Sequence, residues 1–218
     1  MPPRIVPPIP LVGSPQPYHL RADLPLTRIH GRTRGLCDFN PIARGLDDID
    51  GGRFDALTTD RFGYLYAADS DRTAVGETLV SFSKSKSGVG NTILTKALKN
   101  KKIGRFAAKT DLRLVDLVTD DSLATIGQDQ WLTQCDSSDY PLTRQWCANI
   151  RRLADWSQGL IWRSRRDPAG HALMLFEDRC PPENFTIIPT IEQSGPNLHD
   201  GAARALIRRF AFARGVSV

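Results

Sequence analysis

Residues 63–82 read GYLYAADSDRTAVGETLVSF, and their pattern decides the fold class. Tyr64-Leu65-Tyr66-Ala67-Ala68 is aromatic-rich and of strand length. Asp69-Ser70-Asp71 offers side chains that cap helices by accepting orphan backbone N–H bonds. The spacing then predicts a helix from about Arg72, with Val75, Leu79 and Phe82 at i, i+4 and i+7 as a buried stripe. Glu77 stands beside that stripe. Its neighbour Gly76 has no Cβ, so another backbone or a ligand can come close. On composition alone such a carboxylate is first a solvated helix residue and second an acid at the rim of a cleft.

Upstream, Leu24 to Gly31 reads as a strand with Arg28 near its middle. A guanidinium there either faces water on an edge strand or binds an anion, because burying it requires partners for five donors. Gly51-Gly52 then precedes Arg53 and Phe54; the pair suits a plain turn or a backbone that approaches a ligand. Downstream, Ser83 to Lys102 is basic. Its SGVGNT lacks the G-x-x-x-x-G-K-[ST] spacing of a nucleotide-triphosphatase loop. A polar loop leading into a short helix over Thr92 to Lys99 is expected, with its lysines solvated.

Strands are predicted at Phe106 to Ala108 and Leu112 to Val118, and a helical turn or two from Asp120 to Ile126, stopped by Gly127. A helix over Thr143 to Ser157 turns Trp146, Ile150, Leu153 and Ala154 inward. Gly159 to Arg165 and His171 to Asp178 form a hairpin, with Ser164 near the end of its first strand. A strand at Phe185 to Ile188 follows. The last helix, Asp200 to Ala213, has Leu206, Ile207 and Phe210 inward and Arg204, Arg208 and Arg209 outward. Helices and strands do not alternate in a βαβ rhythm. The reading is therefore one α+β domain over residues 20–218, on a mixed or antiparallel sheet. Residues 1–19 hold seven of the fifteen prolines, which excludes a helix or central strand and predicts an extended strap or tail.

Bulk composition narrows the class. With 40% hydrophobic and 24% charged residues the chain has the make-up of a soluble globular protein. No apolar run is long enough to span a bilayer, and MPPRIVPPIP has no signal-peptide core, so a cytoplasmic location is expected. Cys37, Cys135, Cys147 and Cys180 lack zinc-knuckle spacing and read as structural thiols, with no metal site. A net charge of +5 suits phosphorylated ligands or nucleic acid without choosing between them. A basic nucleic-acid-binding module finds no helix-turn-helix or stacking motif in its favour.

Arg28, Gly52-Arg53-Phe54, the Tyr66-x-Ala68-x-x-x-x-Thr73-Ala74-x-x-Glu77 run, Gly159-Leu160 with Ser164, and Leu175-Phe176 stand in this order. That ordered set, from about Leu24 to Arg179, resembles the RES-domain family. The N-terminal proline stretch, the long lysine-rich segment and the C-terminal helix lie outside the pattern. The resemblance implies a fold similar to ADP-ribosyltransferases and an enzyme that cleaves NAD at its nicotinamide–ribose bond, by phosphorolysis or hydrolysis. It implies the toxin of a toxin–antitoxin pair, whose usual antitoxin carries a helix-turn-helix and blocks the cleft. A homodimer stays open. An ADP-ribosyltransferase acting on a macromolecule is the alternative.

Under that resemblance NAD is a substrate and inorganic phosphate a candidate co-substrate; no G-x-G-x-x-G opens a helix after a strand, so no redox cofactor is expected. Nicotinamide leaves neutral from a cationic glycoside, and the transition state has oxocarbenium character. The expected catalytic set is Glu77, to stabilise that charge, with Arg28 and Ser164. Arg28 and Arg53 suit the diphosphate, Tyr66 suits stacking or a hydrogen bond, and Ser164 suits a phosphate or ribose oxygen.

Overall fold

The computed structural model describes residues 6–8, 12–79, 81–85, 88–92, 98–190 and 197–213. In chain order the elements are β1 (Pro17–Leu20), β2 (Leu26–Gly31), β3 (Tyr64–Ala68), α1 (Asp71–Leu79), β4 (Ser81–Ser85) and β5 (Gly88–Thr92). Then come β6 (Lys101–Ala108), β7 (Leu112–Leu117), α2 (Asp120–Ala124), α3 (Trp131–Gln134) and α4 (Tyr140–Leu153). β8 (Gly159–Arg163), β9 (His171–Phe176), β10 (Phe185–Ile188) and α5 (Gly201–Ala213) follow. Eight strands make one sheet in the order β1-β7-β8-β9-β3-β2-β6-β10, and β4 with β5 forms a separate two-stranded ribbon. Among the described strands of the large sheet only β7 and β8 pair in parallel, so the α+β reading with a mixed sheet is the observed one.

The central strands are buried on both faces. On β9, Ala172, Met174 and Phe176 enter one core with Trp146 and Ile150 of α4, while Leu173 and Leu175 enter another with Leu26 and Phe106. This explains why HALMLF reads as a nearly continuous apolar run, without strict alternation. A third cluster packs Val75 and Leu79 of α1 against Ile207 and Phe210 of α5.

Several expectations differ from the structure. β1 forms within the proline-rich segment, pairing with β7 at the rim of the sheet; Pro17 is its first residue, a place where a missing N–H costs little. α1 stops at Leu79 and Phe82 lies in β4, so Phe82 is not on the helical stripe. The segment read as a polar loop is the β4–β5 ribbon, with Thr92 ending β5; the helix expected there falls largely outside the described residues. α4 starts earlier, at Tyr140 with Pro141 in its first turn, and ends at Leu153, earlier than expected.

One junction matters for the site. β2 pairs with β6 along Leu26 to Gly31, yet meets β3 at the single registered pair Thr27↔Ala68. Beyond that point the two strands part. Asp71, at the start of α1, ties the separating halves: it accepts from the Thr27 hydroxyl at 2.7 Å and from Arg105 of β6.

Candidate active site

Where β2 and β3 part, a cavity of about 420 Å³ opens. Its walls include Arg28 of β2, Tyr64 and Tyr66 of β3, Glu77 of α1, Trp162 of β8, and Gly51 to Arg53 with Asp55 from the loop before β3. Four of the five residues singled out in the sequence, Arg28, Arg53, Tyr66 and Glu77, therefore meet on one cavity. Ser164 does not line it; the serine lies behind Glu77.

Glu77 reaches the cavity because α1 starts where it does. Ser70 caps the helix, its hydroxyl accepting from Thr73 N at 3.1 Å, and one face carries Thr73, Val75, Gly76 and Leu79 into the core. At Gly76 an added Cβ would sit 3.1 Å from Cβ of Arg166, so the missing side chain lets the loop after β8 close on α1. That loop brings Ser164. Its hydroxyl accepts from the backbone N–H groups of Arg166 (3.2 Å) and Asp167 (3.0 Å), and donates to Glu77 Oε1 at 2.6 Å. With two donors already aimed at its oxygen, the serine's one proton is left for the carboxylate. Arg166 N also points at Oε1, at 3.4 Å, while Oε2 accepts no hydrogen bond from a described residue.

The two arginines are set differently. Arg28 is 7% exposed, and its Nη1 donates to the carbonyls of Leu36 (2.6 Å) and Asp38 (2.7 Å). Burial lowers its guanidinium to about 10, with Arg34 adding like charge. It remains a cation at neutral pH, its plane fixed by backbone oxygens. Arg53 is also buried: its Nη2 donates to Cys135 O at 3.3 Å, its guanidinium lies 5.4 Å from the Tyr140 ring centre, and its Nε has no hydrogen-bond partner in the described residues. Arg44 and Lys101 add further cations to the wall, the pKa of Lys101 lowered by burial.

Tyr66 offers its ring more than its hydroxyl. The hydroxyl donates to Asp55 Oδ1 (3.0 Å) and accepts from Phe54 N (3.0 Å), and burial, then Asp55, push its pKa well above the ordinary value. The ring meets Trp162 edge to face at 6.2 Å and Tyr64 at 5.7 Å, giving the cavity an aromatic wall. The sequence reading missed Asp55, Tyr64, Tyr140 and Trp162. Asp55 carries a usable signal, since it closes the same glycine-led turn that holds Arg53. The other three stand in apolar strands or beside a helix start, where an aromatic residue is ordinary core. The described residues contain no group of His, Cys, Asp and Glu that could hold a metal, and all four cysteines are free.

Comparison with known proteins adds to this geometry. No curated protein matches the sequence. Among solved structures, the chain is similar to the MbcT toxin in the crystal structure of the M. tuberculosis MbcT–MbcA toxin–antitoxin complex. The TM-score is 0.55 at 18% identity, over 88% of this chain and 91% of that one, which is a likeness of fold. No helix among the described residues is long and apolar enough to cross a membrane. The family model of the RES domain matches residues 25–194 and so takes in both Arg28 on β2 and the loop that carries Ser164; the chain belongs to the RES-domain family.

Proposed function

We propose that this protein cleaves the nicotinamide–ribose bond of NAD and acts as the toxin of a toxin–antitoxin pair. The observation that carries the reading is the Glu77 carboxylate on a cavity wall shared with two oriented guanidinium groups and a cluster of rings. Family membership and the toxin–antitoxin neighbour support it. The cavity has a volume usual for small-molecule sites, within about 300–1,000 Å³.

Each part has a task in this chemistry. Arg28 and Arg53 hold the diphosphate, whose oxygens match guanidinium forks. The rings of Tyr66 and Trp162 provide flat surface for a base or the nicotinamide. As the C–N bond lengthens, electron density goes to the departing nicotinamide, which leaves neutral, and positive charge grows on the ribose. The Glu77 carboxylate faces that charge or grips a ribose hydroxyl, and it is worth most in a site shielded from water. Ser164 keeps the carboxylate oriented through its 2.6 Å bond and has no part in touching substrate. Water or inorganic phosphate then forms the new C–O bond.

The test is a product assay. Purified protein, freed of any bound partner, is incubated with NAD in buffers with and without inorganic phosphate while free nicotinamide is followed. Release is expected. A phosphorylated ADP-ribose marks phosphorolysis, and plain ADP-ribose marks hydrolysis. Transfer of label from NAD to a protein or nucleic acid would instead indicate an ADP-ribosyltransferase. Absence of free nicotinamide in both buffers removes the reading.

A further inference from the structure

We infer that Asp55 is the positioning residue of the anion-binding wall: it holds Tyr66 and the Gly52–Arg53 turn in the arrangement that receives a diphosphate. The inference rests on the reading of the cavity as an NAD site and adds to it a division of labour between binding and chemistry.

Asp55 lines the cavity at 3% exposure and is nevertheless a carboxylate. A charge so buried is costly unless its acceptors are used. They are. Oδ1 accepts from the Tyr66 hydroxyl at 3.0 Å, and Oδ2 accepts from Gly52 N at 2.9 Å and from Arg44 Nε at 3.4 Å. One side chain thus links β3, its own turn and the preceding loop. The opposite side of the turn is held by α4. Arg144, fully buried, donates to the carbonyls of Asp48, Asp50 and Gly52, and the Thr143 hydroxyl donates to Arg53 O at 2.6 Å.

The turn is therefore clamped from two sides, an N–H taken by a carboxylate and carbonyls taken by a guanidinium, with Arg53 fixed between. The two glycines fit this account. Gly51 has φ +91°, and a Cβ on Gly52 would lie 2.5 Å from Asp55 Oδ1 and 2.7 Å from the Tyr66 hydroxyl. Their smallness admits the protein's own carboxylate and phenol, and need not serve a ligand. Glu77 is held by the separate Ser164 loop. Loss of Asp55 should therefore weaken binding and spare the bond-breaking step.

The experiment compares wild type with Asp55→Asn. Asparagine keeps the shape but replaces one acceptor oxygen by an NH2, which either meets the Gly52 N–H and Arg44, donor against donor, or faces the Tyr66 hydroxyl and takes away the acceptor of its proton. Two quantities are read: steady-state NAD cleavage, and calorimetric affinity for inorganic pyrophosphate. The variant is expected to show a KM about tenfold higher with kcat within about twofold, and pyrophosphate affinity about tenfold lower. Tyr66→Phe, which removes only the hydroxyl, should move both in the same direction by less, and adding it to Asp55→Asn should cost little more. Unchanged KM and pyrophosphate affinity, or a fall in kcat alone, overturns the inference, as does a wild type that binds no pyrophosphate. If wild type binds pyrophosphate yet releases no nicotinamide, the NAD reading falls, and the affinity ratio still decides on Asp55. Should Asp55→Asn not fold, Tyr66→Phe with wild-type affinity overturns the inference.

Discussion

At the residue scale the site divides into an acid and its holder. Glu77→Gln keeps the side chain's shape and its contact with Ser164 but removes the charge that faces the ribose. Nicotinamide release should fall by at least about a hundredfold, with circular dichroism unchanged. Ser164→Ala removes the short bond to Glu77 and the acceptor of the Arg166 and Asp167 N–H groups but keeps the acid itself, so a loss of about tenfold is expected in the same assay. Equal losses in the two variants would mean that Ser164 touches substrate after all. The sequence could point to both residues, because their order and spacing repeat a family pattern, but it could not place one behind the other. That relation depends on how the loop after β8 folds against Gly76, and on backbone N–H groups that have no letter in the sequence.

At the scale of elements, the glycine-led turn and α4 act together. Gly52→Ala would press a methyl against Asp55 and Tyr66, and neither can retreat, since each bonds the other. The expected result is a loss of about 1–3 kcal/mol in stability together with a raised KM for NAD, checked by thermal unfolding and kinetics on the same preparation. Elements were legible where a local signal was complete. The β8–β9 hairpin announced itself by two apolar runs around a polar loop, whereas α2 ends at Ala124, two residues short of the predicted end, and Gly127, at φ +71°, closes the turn that follows. β1 was hidden because an edge strand tolerates the prolines that argue against strands in general. Arg144 was hidden for another reason: on a helix face an arginine reads as solvated, and only the carbonyls of a distant loop explain why it is buried.

For the whole molecule, ion pairs between elements set the response to acid. Burial opposes ionisation of Asp71, but the bonds from Arg105 and Thr27 outweigh it and hold its pKa below the ordinary 3.8. Asp178 is lowered likewise, its partial burial outweighed by Arg151. A carboxyl whose folded pKa is depressed stabilises above its unfolded value, and that stability is lost as pH falls through the folded one. Stability should therefore drop below about pH 4, and less steeply for the pair of changes Asp71→Asn and Asp178→Asn. Urea unfolding at a series of pH values measures both slopes; parallel slopes would remove these two carboxyls as the cause. Asp71 has a second significance, because it fastens β2 and β6 to α1 across the place where β2 leaves β3. By order β2 and β3 are inner strands of an eight-stranded sheet, yet they register at one residue pair. Past that pair the two strands line a gap, with Arg28 and Ile29 on one wall and Tyr66 and Ala67 on the other, and β3 at Tyr64 exchanges backbone bonds with Asn40 instead. The gap is thus a rift in the path of the main chain, so a side-chain substitution on its wall changes the lining and leaves the opening in place.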